Sequence, residues 1–180
     1  PESTSDEVRS AVVRLGSLAL GSRPAVQSTL AKEFVKSAMK NWNLPAVVDS
    51  TGQEMSYGRL LTASVLLKKV ITRRFSGRTV GLLLPTSVGA AVANLAVGLS
   101  GKIAVNFNFT TSAEIMRACA ARCGAQQVIT SRKFLEKTGL TAPADPIYLE
   151  DLVGEISKAR RILTYAALRL IPAAALGRIL

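Results

Sequence analysis

The spacing of apolar residues changes along the chain, and each change predicts a different element. Over residues 8–20 and 29–41 apolar side chains recur every three or four positions, which predicts two amphipathic helices. Residues 46–49 and 54–56 are extended in character and are separated by Thr51-Gly52, so they predict a short β-hairpin.

Beyond residue 56, helical periodicity alternates with short apolar runs typical of strands buried on both faces of a parallel sheet. The runs predicted as strands are Thr79–Leu84, Ile103–Phe107, Gln127–Thr130 and Ile147–Leu149. The connections between elements are short, so this order predicts an α/β fold with a mostly parallel, doubly wound, Rossmann-like sheet.

Hydroxyl residues mark the predicted helix starts. Ser56, Ser87 and Ser131 each precede a helical pattern and are expected to cap it. Thr111 and Glu114 have the spacing of a capping box, which predicts a further helix that ends at a glycine.

The segment Leu152–Ile171 predicts one long two-faced helix. Its apolar stripe includes Leu152, Ile156, Leu163 and Leu170, and cationic residues lie opposite. Two interpretations stay open: the stripe packs on the sheet or on a neighbouring domain, or it lies on an anionic membrane surface.

These patterns divide the chain into four segments. We expect a polar tail and helix over residues 1–28, a helix and hairpin over 29–56, an α/β subdomain over 57–151, and an amphipathic helix with a truncated end over 152–180. The chain starts at a proline and stops within an apolar stretch, so we expect an incomplete piece of a larger domain.

Charge is concentrated in the middle of the chain. The formal net charge is +11, and residues 55–144 hold 12 basic but only 2 acidic side chains. Such a block attracts acidic partners, and Arg132, Lys133 and Lys137 are the candidate partner surface, although a solvated face is the simpler interpretation. Nucleic acid is not expected, because aromatic residues are few and do not alternate with the basic ones.

The absence of histidine excludes Ser-His-Asp and Cys-His catalysis and histidine-ligated zinc. Cys119 and Cys123 are four residues apart, and we expect both to be small buried side chains in a reducing, cytoplasmic compartment. No metal site is expected in this chain.

No glycine pattern matches a known phosphate loop. The turn Pro85–Ser87, between a strand and a helix, is the best position for an anion. The neighbouring carboxylates Glu150 and Asp151 are expected to complement the positive start of the helix that follows them, rather than to act as acid and base.

Three segments, in order, resemble motifs of the adenylate-forming ligases. Residues 55–61 (MSYGRLL) are similar to the motif that opens the large domain of that family, residues 79–87 (TVGLLLPTS) to its strand and turn, and residues 98–108 (GLSGKIAVNFN) to its second motif. Residues 111–130 resemble the next repeat of the sheet.

Within that family, the resemblance is greatest to bacterial acyl-acyl-carrier-protein synthetases fused to 2-acylglycerophosphoethanolamine acyltransferase. It is carried by residues 108–110 (NFT), 128–137 (VITSRKFLEK) and 148–152 (YLEDL). The resemblance implies a parent enzyme that activates a fatty acid with ATP and Mg²⁺, passes the acyl group to a carrier-protein thiol, and is linked to lysophospholipid acylation.

The family's phosphate loop, ribose-binding acid and lid lysine have no counterpart in residues 1–180, so no catalytic or cofactor-binding residue is assigned here and the chain alone is expected to be inactive. The implied partners are the rest of the parent, an acidic acyl carrier protein and an anionic surface on the inner face of the cell membrane. The alternative is a non-catalytic basic module that binds an acidic protein or such a surface.

Overall fold

The computed structural model describes residues 5–21 and 28–171. The first two predicted helices are confirmed as α1 (Ser5–Gly21) and α2 (Leu30–Lys40). The side chain of Thr29 caps α2, because its hydroxyl oxygen accepts the backbone N–H of Lys32 at 3.3 Å. No residue of α1 is buried, whereas α2 buries Val35 and Ala38.

The predicted hairpin is also confirmed. Strands β1 (Pro45–Val48) and β2 (Glu54–Ser56) pair antiparallel. The turn depends on Asp49, whose carboxylate accepts the backbone N–H groups of Thr51 at 2.9 Å and Gln53 at 3.2 Å. Gly52 has a φ of 80°, a conformation that glycine adopts without strain.

Residues 57–148 form the α/β unit. In chain order its elements are α3 (Tyr57–Arg74), β3 (Thr79–Leu83), α4 (Val88–Leu99), β4 (Ile103–Asn106), α5 (Ala113–Cys123), β5 (Gln127–Thr130), α6 (Arg132–Thr138) and β6 (Asp145–Tyr148). The four strands lie in the order β4-β3-β5-β6, and all three neighbouring pairs are parallel. The predicted α/β fold with a parallel, doubly wound sheet is therefore confirmed.

Alternate residues of the strands supply two cores, one on each face of the sheet. Val80, Leu82 and Ile129 pack with α3 and α4, whereas Leu83 and Val128 pack with α5 and α6. Gly81 lies where a Cβ atom would stand 2.6 Å from the Phe107 ring and 2.7 Å from a Val128 methyl group. The core formed with α5 and α6 can therefore pack against β3 only because Gly81 has no side chain.

The single helix predicted for Leu152–Ile171 is wrong, because the structure divides this part of the chain into α7 (Leu149–Gly154) and α8 (Lys158–Leu170). The break at residues 155–157 ends with Ser157, whose hydroxyl oxygen accepts the backbone N–H of Arg160 at 3.3 Å. Ser157 is thus the N-cap of a new helix.

The predicted apolar stripe is consequently split. Leu152 is fully buried and Ile156 nearly so, and both belong to the core between the sheet, α3 and α4. Leu163 and Leu170 are 70% and 84% exposed on α8. The buried residue of α8 is Leu168, which was not in the stripe.

Two smaller expectations need correction. Ser112, not Thr111, caps α5, since its hydroxyl oxygen accepts the Ile115 N–H at 3.3 Å. Cys119 is exposed and Cys123 half-buried, because α5 turns Met116 and Ala120 to the core instead. The four-residue spacing of the cysteines placed them on one side of the helix, but not on its buried side.

Candidate functional site

The carboxyl ends of the parallel strands form the edge at which α/β sheets usually bind ligands. The connection after β3 leads to β4 on one side, whereas the connection after β5 leads to β6 on the other. The helices in these connections, α4 and α6, pack on opposite faces of the sheet. The crevice between the ends of β3 and β5 is therefore the topological switch point, flanked by the Pro85–Ser87 turn and Ser131.

The predicted anion position at the Pro85–Ser87 turn already has an anion from the chain itself. The Asp49 carboxylate accepts the backbone N–H of Val88, the first residue of α4, at 3.2 Å. Ser87 caps the same helix, as predicted, by accepting the Ala90 N–H at 3.2 Å. The hydrogen bond from the Thr51 hydroxyl, followed by that from the Val88 N–H, lowers the pKa of Asp49. The hairpin turn thus supplies a charged cap for a helix 39 residues later in the chain.

A second polar cluster joins α6 to α7 at the end of β6. One oxygen of the Glu150 carboxylate accepts the Ser131 hydroxyl at 2.7 Å and the Arg132 backbone N–H at 3.1 Å. Glu150 and Asp151 lie in the first turn of α7, as their predicted role requires, but Glu150 also binds the start of α6.

The Arg132 guanidinium is fixed on two sides. It donates two hydrogen bonds to the Asp151 carboxylate, at 2.8 and 2.6 Å, and lies 4.0 Å from the centre of the Tyr148 ring. The hydrogen bonds with Arg132 lower the pKa of Asp151, and the same hydrogen bonds raise the pKa of Arg132. Arg132 is therefore bound within the chain, whereas Lys133 and Lys137, its companions in the predicted partner surface, are exposed on α6.

Helix α8 is docked through an aromatic pair that the sequence interpretation missed. The indole N–H of Trp42 donates to the Tyr165 hydroxyl at 2.8 Å, and the two ring centres are 5.1 Å apart. The Arg169 guanidinium lies 5.9 Å from the centre of the Trp42 ring. Tyr165 was not among the residues of the predicted apolar stripe, yet it packs with α2 and α3.

Between the hairpin and helices α3, α4, α7 and α8 lies a cavity of about 620 Å³. Its wall is mainly aliphatic, and its charged lining residues are Arg59 on α3 and Arg161 on α8. This volume lies within the range of small-molecule sites. Sequence periodicity could not reveal the cavity, because its wall comes from five elements and depends on the break before α8.

The hydroxyl groups of the site have structural roles. Ser56, Ser87 and Ser131 accept helix N–H groups, as predicted, and the chain has no histidine to activate them. Within residues 5–21 and 28–171 no three metal-ligating side chains cluster. None of the helices in these ranges is long and apolar enough to cross a bilayer.

The doubly wound parallel sheet and its helices have the fold of the N-terminal subdomain of adenylation domains. No protein-family profile matches the chain. Solved structures with this fold include the N-terminal subdomain of Klebsiella oxytoca NpsA bound to 3-hydroxybenzoyl-AMSN, which is 14% identical with a TM-score of 0.63, over 73% of this chain and 33% of that one.

A second similar structure is the Bacillus subtilis O-succinylbenzoate coenzyme A synthetase MenE in complex with ATP and a magnesium ion. It is 19% identical, with a TM-score of 0.59, over 69% of this chain and 34% of that one. The nonribosomal peptide synthetase FmoA3 with bound α-methyl-L-serine-AMP is 18% identical, with a TM-score of 0.58, over 68% of this chain and 14% of that one. These neighbours are adenylate-forming ligases, and the present chain spans about a third or less of their length.

Proposed function

We propose that this chain is part of the N-terminal subdomain of a fatty-acid-activating, adenylate-forming ligase. The observation that carries the proposal is the agreement of two independent likenesses. The fold matches that of the N-terminal subdomain of adenylate-forming ligases in general, and residues 55–131 resemble the motifs of that family in the same order.

In the proposed parent, the fatty carboxylate oxygen attacks the α-phosphorus of ATP, and pyrophosphate leaves. A carrier-protein thiolate then attacks the acyl carbon, and AMP leaves. ATP and Mg²⁺ belong to that parent. The backbone N–H at the start of α4 is already bound by Asp49, so this N–H is not free to bind a phosphate.

The choice of a fatty acid as substrate rests on residues 128–137 and 148–152, which resemble acyl-acyl-carrier-protein synthetases. In the fold these two segments contact each other, because Ser131 and Arg132 of the first bind Glu150 and Asp151 of the second. The resemblance therefore concerns one local structure rather than two unrelated stretches of sequence.

Two partners complete the proposal. An acidic carrier protein would meet Lys133 and Lys137 on α6, by an attraction that weakens with salt. An anionic membrane surface would meet α8, which exposes Ile162, Leu163 and Leu170 among its cationic residues.

The test is fatty-acid-dependent exchange of pyrophosphate into ATP by the full-length protein that contains this chain, with the 180-residue chain alone as a comparison. We expect exchange with long-chain fatty acids only in the longer protein. Exchange that requires an amino acid or an aromatic acid would reject the fatty-acid substrate and retain the ligase class. A longer protein without any exchange would favour the non-catalytic basic module.

A further inference from the structure

The cavity between the hairpin and helices α3, α4, α7 and α8 has a composition that points to a particular ligand. Its aliphatic wall includes Met55, Ala63, Leu66, Val92, Val153 and Ile156. Thr62 also lines it, but its hydroxyl is already used, because it donates to the Gly58 carbonyl at 2.7 Å. The wall therefore offers apolar contact with few free polar groups, which suits an alkyl chain.

The charged residues that line the cavity are all positive. No acidic residue lines it. Of the nearby carboxylates, Asp49 binds the start of α4, Glu155 binds Arg73 at 3.1 Å and Arg74 at 3.0 Å, and Glu54 is exposed on β2. A ligand inside the cavity would therefore contact positively charged lining residues and no negatively charged one.

The two cationic lining residues differ in their freedom. Arg161 is held in place, because its Nε and one terminal nitrogen donate to the carbonyls of Ile156 at 3.2 Å and Val153 at 3.1 Å. Arg59 is exposed, and across the ranges that the structure describes its guanidinium has no ion pair. One arginine thus forms a fixed part of the wall, and the other is available to an incoming anion.

We propose that this cavity binds a single-chain amphiphile with an anionic head group, the alkyl chain lying between α3, α4 and α7 and the head group paired with Arg59 and Arg161. A free fatty acid and an anionic lysophospholipid share this chemistry. Binding needs neither ATP nor the rest of a ligase, so the proposal stands apart from the adenylation activity proposed above.

The test is calorimetric titration of the 180-residue chain, without nucleotide, with octanoate, decanoate and dodecanoate below their micelle concentrations. We expect affinity to rise by up to about fourfold for each added methylene group, because each buries apolar surface. Lauroyl lysophosphatidylglycerol distinguishes the two sources: binding of it alone assigns the site to a lysophospholipid, and binding of the carboxylates alone assigns it to a fatty acid. Dodecyltrimethylammonium should not bind.

Variants locate the binding. Ala63→Phe should fill the cavity and abolish binding, and Ala166→Trp, at an exposed lining position of α8, does the same if Ala63→Phe fails to fold. Arg59→Gln should weaken binding about tenfold. The matched controls are Ala118→Phe and Arg117→Gln on α5, across the sheet, which should change nothing.

Three results would overturn the proposal. They are no binding of any anionic amphiphile, affinity that does not depend on chain length, and equal binding by the cavity variants and the α5 controls. Equal binding by the cavity variants and the α5 controls would mean that the calorimetric signal comes from general attraction to a positively charged surface. None of these results bears on pyrophosphate exchange by the longer protein.

Discussion

Helices α7 and α8 are consecutive in the chain and continue one apolar pattern, yet they are held in different ways. Leu152 of α7 is fully buried between the sheet, α3 and α4, whereas Leu163 of α8 is 70% exposed. Both leucines occupy the same predicted stripe. The difference shows that periodicity identifies the apolar face of a helix, while the elements available to cover it determine which residues become core.

The polar contacts of the two helices differ as well. Helix α7 is joined to its surroundings by carboxylates: Glu150 and Asp151 bind the start of α6, and Glu155 binds Arg73 and Arg74 of α3. Helix α8 is joined through Tyr165 and Leu168, which pack with α2 and α3. Charge and a buried leucine hold the first helix, whereas an aromatic pair, a buried leucine and the hydrogen bonds of Arg161 hold the second.

The largest expected effect comes from Leu152→Ala. Removing a fully buried leucine side chain leaves a cavity in the main core, so we expect a loss of about 2–5 kcal/mol in the free energy of unfolding. Urea denaturation followed by circular dichroism measures it. Leu163→Ala is the matched control, and its free energy of unfolding should stay within about 0.5 kcal/mol of that of the unsubstituted chain. Equal losses for the two variants would show that α8 is as much a part of the core as α7.

Much of the fold could be predicted from the sequence, because its elements carry local signals. Ser56, Ser87 and Ser131 mark helix starts through a hydrogen bond within the first turn, and such a signal needs no knowledge of the rest of the fold. The strand Thr79–Leu83 was visible because a strand covered on both faces is apolar throughout.

The remainder depends on contacts between residues far apart in the chain. Asp49 was predicted as the last residue of a strand, and nothing local shows that its carboxylate reaches the N–H of Val88. The contact between Trp42 and Tyr165 spans 123 residues. The break before α8 was hidden by a chance match in periodicity, although Gly154 and Ser157 were available as a stop and a start.

The second prediction concerns the aromatic contact that docks α8. Tyr165→Phe keeps the ring and removes the acceptor of the Trp42 indole N–H, which leaves a largely buried donor unpaired. We expect α8 to detach more readily, at a cost of about 1–3 kcal/mol. Trp42 is the single tryptophan of the chain, so its fluorescence reports this contact directly. Tyr57→Phe is a control. If the denaturation midpoint measured by Trp42 fluorescence is the same for Tyr165→Phe and the unsubstituted chain, the hydrogen bond adds no stability beyond that of the ring contact.

The third prediction uses acid to weaken the charged contacts of α7 while leaving α8 in place. Because the pKa of Asp151 lies below its ordinary value of 3.8, its pairing with Arg132 stabilises the fold above that value and is lost as the pH falls through the lowered pKa. Asp151→Asn should therefore lower the urea midpoint at pH 7, and its effect should shrink as the pH falls below 3.8. Asp145→Asn serves as the control. A midpoint difference that stays the same at every pH would show that Asp151 acts through packing.

The smallest effect on stability is expected for Leu163→Asp. This variant distinguishes α8 from α7 most clearly. Because Leu163 faces solvent, the charge should change the free energy of unfolding by no more than about 0.5 kcal/mol and leave the Trp42 fluorescence unchanged. If α8 lies on an anionic surface, the buried leucine contributes roughly 1.5–3 kcal/mol and each nearby cation about 1 kcal/mol to that contact. We therefore expect the unsubstituted 180-residue chain to sediment with anionic but not neutral vesicles, and the Leu163→Asp variant to sediment with neither.

Leu170→Asp, at an equally exposed position near the end of α8, should give the same result, whereas Ile115→Asp on α5 should leave vesicle binding intact. Should Leu163→Asp unfold the sheet, α8 would be an integral core element and its exposed leucines would have no surface role. Should both α8 variants still sediment with the anionic vesicles, charge alone would attract the chain. The difference between α7 and α8 would then be one of packing only, with no separate function for the second helix.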